Sequence, residues 1–212
     1  MKAPHSVASV LHRTSKIIMH AKHQRQAIAV EAARIIVHEG QRNYGAAKRK
    51  AAERMGIAST RHLPSNNEVE QQLRSYQTLF ITGHAQQLRS LQQVALEIMQ
   101  HFASLRPRLV GPVLEGTADQ YSSITLHVFS DNPDDMVRLL LDSRLPFVAS
   151  ERRIRWYHND YRNIQVLNIE WHGHDCELCL FHSVDLRQAP PSPIDGQAQR
   201  RASMEQLRVL LE

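Results

Sequence analysis

Apolar positions recur at helical spacing along the first half of the chain and at strand spacing beyond it. Residues 25–39 place Ile28, Ala32, Ile35 and Ile36 on one helical face, and Gly40 ends the run. Residues 44–55 read as a second, alanine-rich helix that stops at Gly56. After Pro64, Ser65 and Glu68 have the spacing of a capping box, and Val69, Leu73, Tyr76 and Phe80 follow as an apolar stripe. Gly83 interrupts that stripe, and Leu88, Leu91, Ala95, Ile98 and Phe102 continue it. The expectation is one long or two consecutive helices over about residues 67–103. Upstream, Val7, Val10, Leu11, Ile17 and Ile18 are scattered positions that suit a short helix.

Beyond residue 104 the pattern changes. Leu109 and Val110 run into Gly111, Val113–Glu115 lead to Gly116, and a polar turn precedes the dense apolar run of Ile124, Leu126, Val128 and Phe129. Pro133, Asp134 and Asp135 open a helix carried by Met136, Leu139, Leu140 and Leu141, with both acids at its positive end. Three strands follow, Phe147–Trp156, Ile164–Trp171 and Cys176–His182, the last two joined by a turn over His172–Asp175. The stretch from Gln188 to Gly196 holds Pro190, Pro191 and Pro193 and reads as an extended strap. Residues 198–211 close with a helix on Met204, Leu207 and Leu211. The fold expected is α+β: a helical region, then a mixed β-sheet with flanking helices. Its divisions are a basic arm (1–24), a helical region (25–103), an α/β domain (104–187), and the strap with its helix (188–212).

Charge is uneven. Lysine and arginine total 26 against 21 acids, a net +5, and residues 1–30 hold Lys2, Arg13, Lys16, Lys22 and Arg25 with no acid at all. The remainder is formally neutral, so the basic character belongs to an arm rather than to a globule. A second basic cluster, Arg42, Lys48, Arg49, Lys50 and Arg54, has the residue types for phosphate contacts on nucleic acid. No recognition-type helix follows it, and a solvated basic face explains it more simply. No apolar run approaches the ~20 residues of a membrane span. Arg13 and Lys16 break the first apolar cluster, which does not suit a secretory signal. Cys176 and Cys179 fall on opposite sides of one strand, so no disulfide is expected and the setting expected is cytoplasmic.

Other constellations carry less. His172, His174, Asp175, Cys176, Cys179 and His182 are dense in ligand types, yet strand alternation lets the turn histidines and Cys176 alone converge, short of a tetrahedral zinc site. Ser122, Ser123 and His127 lack the strained nucleophile turn and the orienting acid of a triad. Arg152, Arg153 and Arg155 beside Trp156, Tyr157 and Tyr161 suit a charged, edge-protecting strand better than a single-strand nucleic-acid platform.

The order Gly111-Pro112, Gly116-Thr117 and then a strand through Ser123 and Thr125 resembles the nucleotidyltransferase superfamily, of polymerase-beta-like fold. The resemblance implies that Ser123 and Thr125 stand where relatives carry paired aspartates, that Pro112 replaces a serine, and that Glu177 is the surviving third acid. It further implies a cleft for a nucleotide or nucleic acid near the Gly111/Gly116 turn. Gly111, Gly116, Thr117, Ser123, Thr125, His127 and Glu177 would line that cleft, with Arg108 close by. Active relatives use magnesium or manganese, which need carboxylate ligands. With hydroxyls in their place the expectation is a degenerate, non-catalytic member. The alternative is a non-enzymatic regulatory protein that uses its basic N-terminal helices on nucleic acid.

Overall fold

The computed structural model describes residues 7–41, 43–57, 63–119 and 121–212, with side chains from Lys22 onward. Its described residues form seven α-helices and one five-stranded mixed sheet, an α+β fold. The chain divides into two compact units, Met1–Phe80 and Ile81–Glu212. The expected helical region over 25–103 therefore spans the division.

The first unit holds helices α1 (Val7–Glu39), α2 (Tyr44–Arg54) and α3 (Asn66–Phe80). α1 is one continuous helix where a short helix and a separate one at 25–39 were expected. Residues 7–24 of the expected arm belong to its backbone, while residues 1–6 lie outside the described residues. Ile28, Ala32 and Ile35 of α1 pack on Ala47, Ala51 and Ala52 of α2 and on Val69 of α3. Alanines on the α2 face bring the helix backbones close, so the core is small but tight. Asn43 caps α2 by accepting from the Ala46 amide at 2.9 Å. Ser65 and Glu68 form the expected box: the Glu68 amide donates to Ser65 Oγ at 3.2 Å and the Ser65 amide to Glu68 Oε2 at 2.7 Å.

The basic cluster is largely engaged within this unit. Arg54 pairs with Glu39 at 2.7 Å and Glu31 at 3.4 Å, Lys50 with Glu39, and Lys48 donates to Asn66 Oδ1 at 2.7 Å. Arg49 is exposed, and Arg42 lies outside the described residues.

In the second unit, α4 (His84–His101) follows Gly83, whose φ of +79° takes the left-handed conformation natural to glycine. The elements after it are β1 (Arg108–Val110), the single turn α5 (Pro112–Glu115), β2 (Ile124–Phe129), α6 (Asp134–Asp142), β3 (Phe147–Arg155), β4 (Tyr161–Trp171), β5 (His174–Phe181) and α7 (Met204–Leu211). The sheet order is β1-β2-β5-β4-β3, with β2 and β5 parallel and every other pair antiparallel. β4 and β5 meet through a tight turn in which His172 and Gly173 both have positive φ, 49° and 80°.

Period-two alternation gives the sheet two different faces. The first is the main core: Leu109, Ile124, Leu126, Val128, Leu167, Cys176 and Leu178 meet α4, Phe102, Met136 and Leu140 of α6, and Leu207 of α7. The second face carries a smaller cluster of Phe129, Trp156, Ile164, Val166, Cys179 and Phe181 at one end, and polar side chains at the other. Cys176 and Cys179 are buried, free, and on opposite faces, as the alternation required. Residues 198–202 are extended rather than helical. Leu109 and Ala202 exchange backbone hydrogen bonds of 2.9 Å each way, so the C-terminal segment pairs with the edge of β1 before Ser203 caps α7. No described helix is long and apolar enough to cross a membrane.

Glu68 makes the first unit pH-sensitive. The Arg25 fork, at 2.7 and 3.0 Å to Nε and 2.7 Å to Nη2, and then the Ser65 donors hold its carboxyl down to about 2 from an ordinary 4.5. A depressed carboxyl contributes stability that is complete above pH 4.5 and lost as pH falls through about 2. The pair is half exposed, so the loss is about 1 kcal/mol or less. Urea unfolding followed by circular dichroism at neutral pH and at pH 3 should therefore show a smaller acid-induced drop in Glu68→Gln than in wild type.

Candidate functional site

The site grows from the parallel β2–β5 pairing. Its register sets Thr125 beside Glu177, His127 beside Cys179 and Phe129 beside Phe181. The antiparallel β1–β2 register sets Arg108 opposite His127. All of these side chains belong to the second face. The Thr125 hydroxyl donates a long hydrogen bond of 3.5 Å to Glu177 Oε2. From β3, Arg152 reaches across and forks the same carboxylate, Nη1 to Oε2 at 3.0 Å and Nη2 to Oε1 at 2.8 Å. Both carboxylate oxygens are thus bound by one guanidinium, the strong planar geometry for this pair. The fork lifts the Arg152 pKa further above its ordinary value.

His127 is buried beside this pair. Burial, and then the charges of Arg201 and Arg152, push its pKa well below the ordinary imidazole value, so the ring is neutral near pH 7. Arg201 Nε donates to His127 Nδ1 at 3.0 Å, which puts the ring hydrogen on Nε2. Arg201 also donates from Nη1 to the Asp185 carbonyl at 2.7 Å and lies over the Phe129 and Phe181 rings at 5.0 and 5.3 Å. Burial lowers its pKa to about 10, and the charge of Arg108 acts in the same direction.

Over this face lies a cavity of ≈ 580 Å³. Its floor includes Thr125, His127, Cys179, Phe181, Ile164 and Arg152, and its roof is the proline-rich strap. The volume is ordinary for a small-molecule site. The strap is folded on itself: Ser192 donates to the Gln197 carbonyl at 2.7 Å, Gly196 to Ser192 at 2.9 Å and Gln199 to Pro190 at 2.8 Å. Tyr157 holds its start by donating to the Ala189 carbonyl at 2.7 Å. The Leu109–Ala202 pair holds its end.

The expected site residues separate into two groups. Thr125, His127 and Glu177 come together, and the Gly111 corner abuts them, since a Cβ there would stand 4.0 Å from Thr125 Oγ1. Ser123 is half-buried one residue before β2 and is not part of the cavity wall. Gly116 faces Leu88 of α4 instead, and Thr117 is buried. The amides of residues 114–118 donate to the carbonyls of Gly111 and Pro112, so the turn keeps its N–H groups for itself. Arg201 and the roofing role of the strap had no local signal in the sequence. Arg152 did: it shares its parity on β3 with Ile154, which packs on the second face.

Magnesium or manganese, which the resemblance implies for active relatives, does not suit these donors. The Glu177 oxygens are both on Arg152, Thr125 offers a neutral hydroxyl, and His127 Nδ1 is taken by Arg201. Arg152 also places a positive charge where a divalent cation would have to sit. Among the described residues no three His, Cys, Asp or Glu side chains are arranged to hold a metal ion. His172 turns to Glu97 at 3.7 Å and His182 to Asp131 at 2.7 Å.

The fork should be visible in stability. Arg152→Ala leaves Glu177 half-buried without its counter-charge, a loss of about 1–2 kcal/mol in urea unfolding. Adding Glu177→Gln should recover part of that loss, because the stranded charge is then gone. Equal losses in the single and double variants would reduce the fork to side-chain packing. No family model matches the chain, and neither a curated protein nor a solved structure matches it.

Proposed function

We propose that this chain is a non-catalytic protein of nucleotidyltransferase-like build that holds a nucleotide in the cavity between the sheet and the proline-rich strap. The observation that carries the reading is the Arg152 fork on Glu177 beside Thr125. In the resemblance, that pair of positions would belong to a metal-binding carboxylate cluster. Here a guanidinium supplies the positive charge that a metal would bring, and it does so permanently. A guanidinium already forked by Glu177 can still donate its remaining N–H groups to phosphate, but it has no open coordination positions to activate an attacking hydroxyl. Binding without transfer is the chemistry such an arrangement favours.

The cavity's other surfaces fit the same ligand. Phe181, Ile164, Pro190, Pro191 and Ile194 give apolar walls suited to a planar base. Arg152, Arg153 and Arg155 give cationic surface along β3. The nucleic-acid alternative on the first unit has less support, because Lys50 and Arg54 are already paired with Glu39 and Glu31.

A thermal-shift series tests the reading. Nucleoside triphosphates should raise the melting temperature by the same amount with EDTA as with magnesium or manganese, and should do so at high salt. Protection that appears only with metal would overturn it.

A further inference from the structure

Around His127 the structure concentrates positive charge and leaves it under-compensated. Arg108 stands opposite it across the β1–β2 pair, Arg201 donates to its ring, and Arg152 is near enough to act on its charge. Arg106 adds its charge beside Arg108, with Asp131 offsetting part of it. On the acidic side, Glu177 is spent on Arg152, and the Asp185 carboxylate is held by Arg162 at 3.1 Å. Arg108 donates to the neighbouring carbonyls of Arg106 and Pro107, at 3.3 and 3.0 Å, rather than to a carboxylate. Arg201 Nη2 is buried with no hydrogen-bond partner among the described residues. The cavity wall repeats the imbalance, with Arg152, Arg153 and Arg155 against Asp195, which sits in the strap and accepts from the Gln197 amide at 3.0 Å.

Buried positive charge without counter-charge is costly, and an anion relieves it. The donors for one are in place. His127 Nε2 carries a hydrogen, Thr125 has a hydroxyl whose bond to Glu177 is long, and the Arg152 fork leaves its outer N–H groups and Nε unspent. We infer that the Thr125–His127–Arg152 end of the cavity is a metal-free site for a tetrahedral oxyanion, a phosphate group. This rests on the cavity being the ligand site proposed above, and it fixes which end receives the phosphate. The amides of Leu114, Glu115 and Gly116 are bonded within the Gly111–Gly116 turn and do not serve as a phosphate cradle. Arg108 and Arg201, the latter partly offset by Asp185, are not among the cavity-lining residues and add long-range attraction.

Calorimetric titration of the full chain with inorganic phosphate in EDTA, at constant ionic strength, tests the inference. Wild type should bind, and Arg108→Gln should bind about tenfold more weakly. Arg108 is the informative position because its side chain bonds only to carbonyls one and two residues away, whereas Arg201→Gln also unties the C-terminal segment. Arg152→Gln should weaken phosphate further, since it removes a direct donor. No phosphate binding by wild type, or equal affinity in wild type, Arg108→Gln and Arg152→Gln, overturns the site. Adenosine and its monophosphate separate the two readings. Monophosphate that binds more tightly than both adenosine and phosphate supports both. Equal affinity for adenosine and the monophosphate overturns the oxyanion site and reduces the nucleotide reading to a pocket for the nucleoside alone. Equal affinity for phosphate and the monophosphate overturns the nucleotide reading and leaves the oxyanion site.

Discussion

The second unit depends on the parallel pairing of β2 with β5. Every other neighbour in the sheet is antiparallel. A parallel pair cannot be closed by a tight hairpin, so the chain must leave β2, build α6, β3 and β4, and return. That return sets Glu177 level with Thr125. A slip of one residue would turn Glu177 toward Leu126 and the main core, and Leu178 toward the cavity. Register is thus fixed by hydrophobic burial on one face, and the polar arrangement on the other follows from it.

That polar arrangement has a consistent electrostatic sense. A carboxylate on a half-covered sheet face needs a counter-charge, and here the counter-charge is covalently part of the chain. Arg152 reaches Glu177 from an edge strand, where a long side chain can lie along the face. The neutral, buried His127 belongs to the same logic. An imidazolium beside Arg152 and Arg201 would add charge to charge, so burial and its neighbours together keep the proton off. Its tautomer is then set by Arg201, which also ties the C-terminal segment to the sheet.

Much of the fold was legible in the sequence, for identifiable reasons. The stripes through Ile28–Ile35 and Leu91–Phe102, the glycine break at Gly83, and the Ser65–Glu68 box are all signals within one or two turns of chain. The alternation through Ile124–Phe129 and Cys176–Phe181 announced a sheet and put the cysteines on opposite faces. The two expected helices join as one in α1; the scattered apolar positions of residues 7–18 and the stripe from Ile28 do not form one continuous pattern and give no sign of the join. Residues 198–202 have helix-tolerant types, yet pairing with the exposed edge of β1 won over local preference. The proximity of Thr125 to Glu177 came from the resemblance, since nothing in the spacing of two strands 52 residues apart dictates their register.

Arg201 shows where local reasoning ends. It lies 74 residues from His127, on a segment expected to begin the closing helix. What brings it there is geometry: prolines with no N–H to donate keep the strap off the sheet, Pro191 bridging only to Ala198, and the edge of β1 captures the chain again at Ala202. The strap is therefore held at its two ends and bonded chiefly to itself between them. Raising such a roof would break none of its internal hydrogen bonds, but it would expose the buried Pro190 and the apolar lining beneath. The same prolines keep it from collapsing onto the free edge of β3 as another strand. A sheet face presents side chains rather than backbone donors, so the strap meets its hydrogen bonds within itself and leaves the space beneath it open.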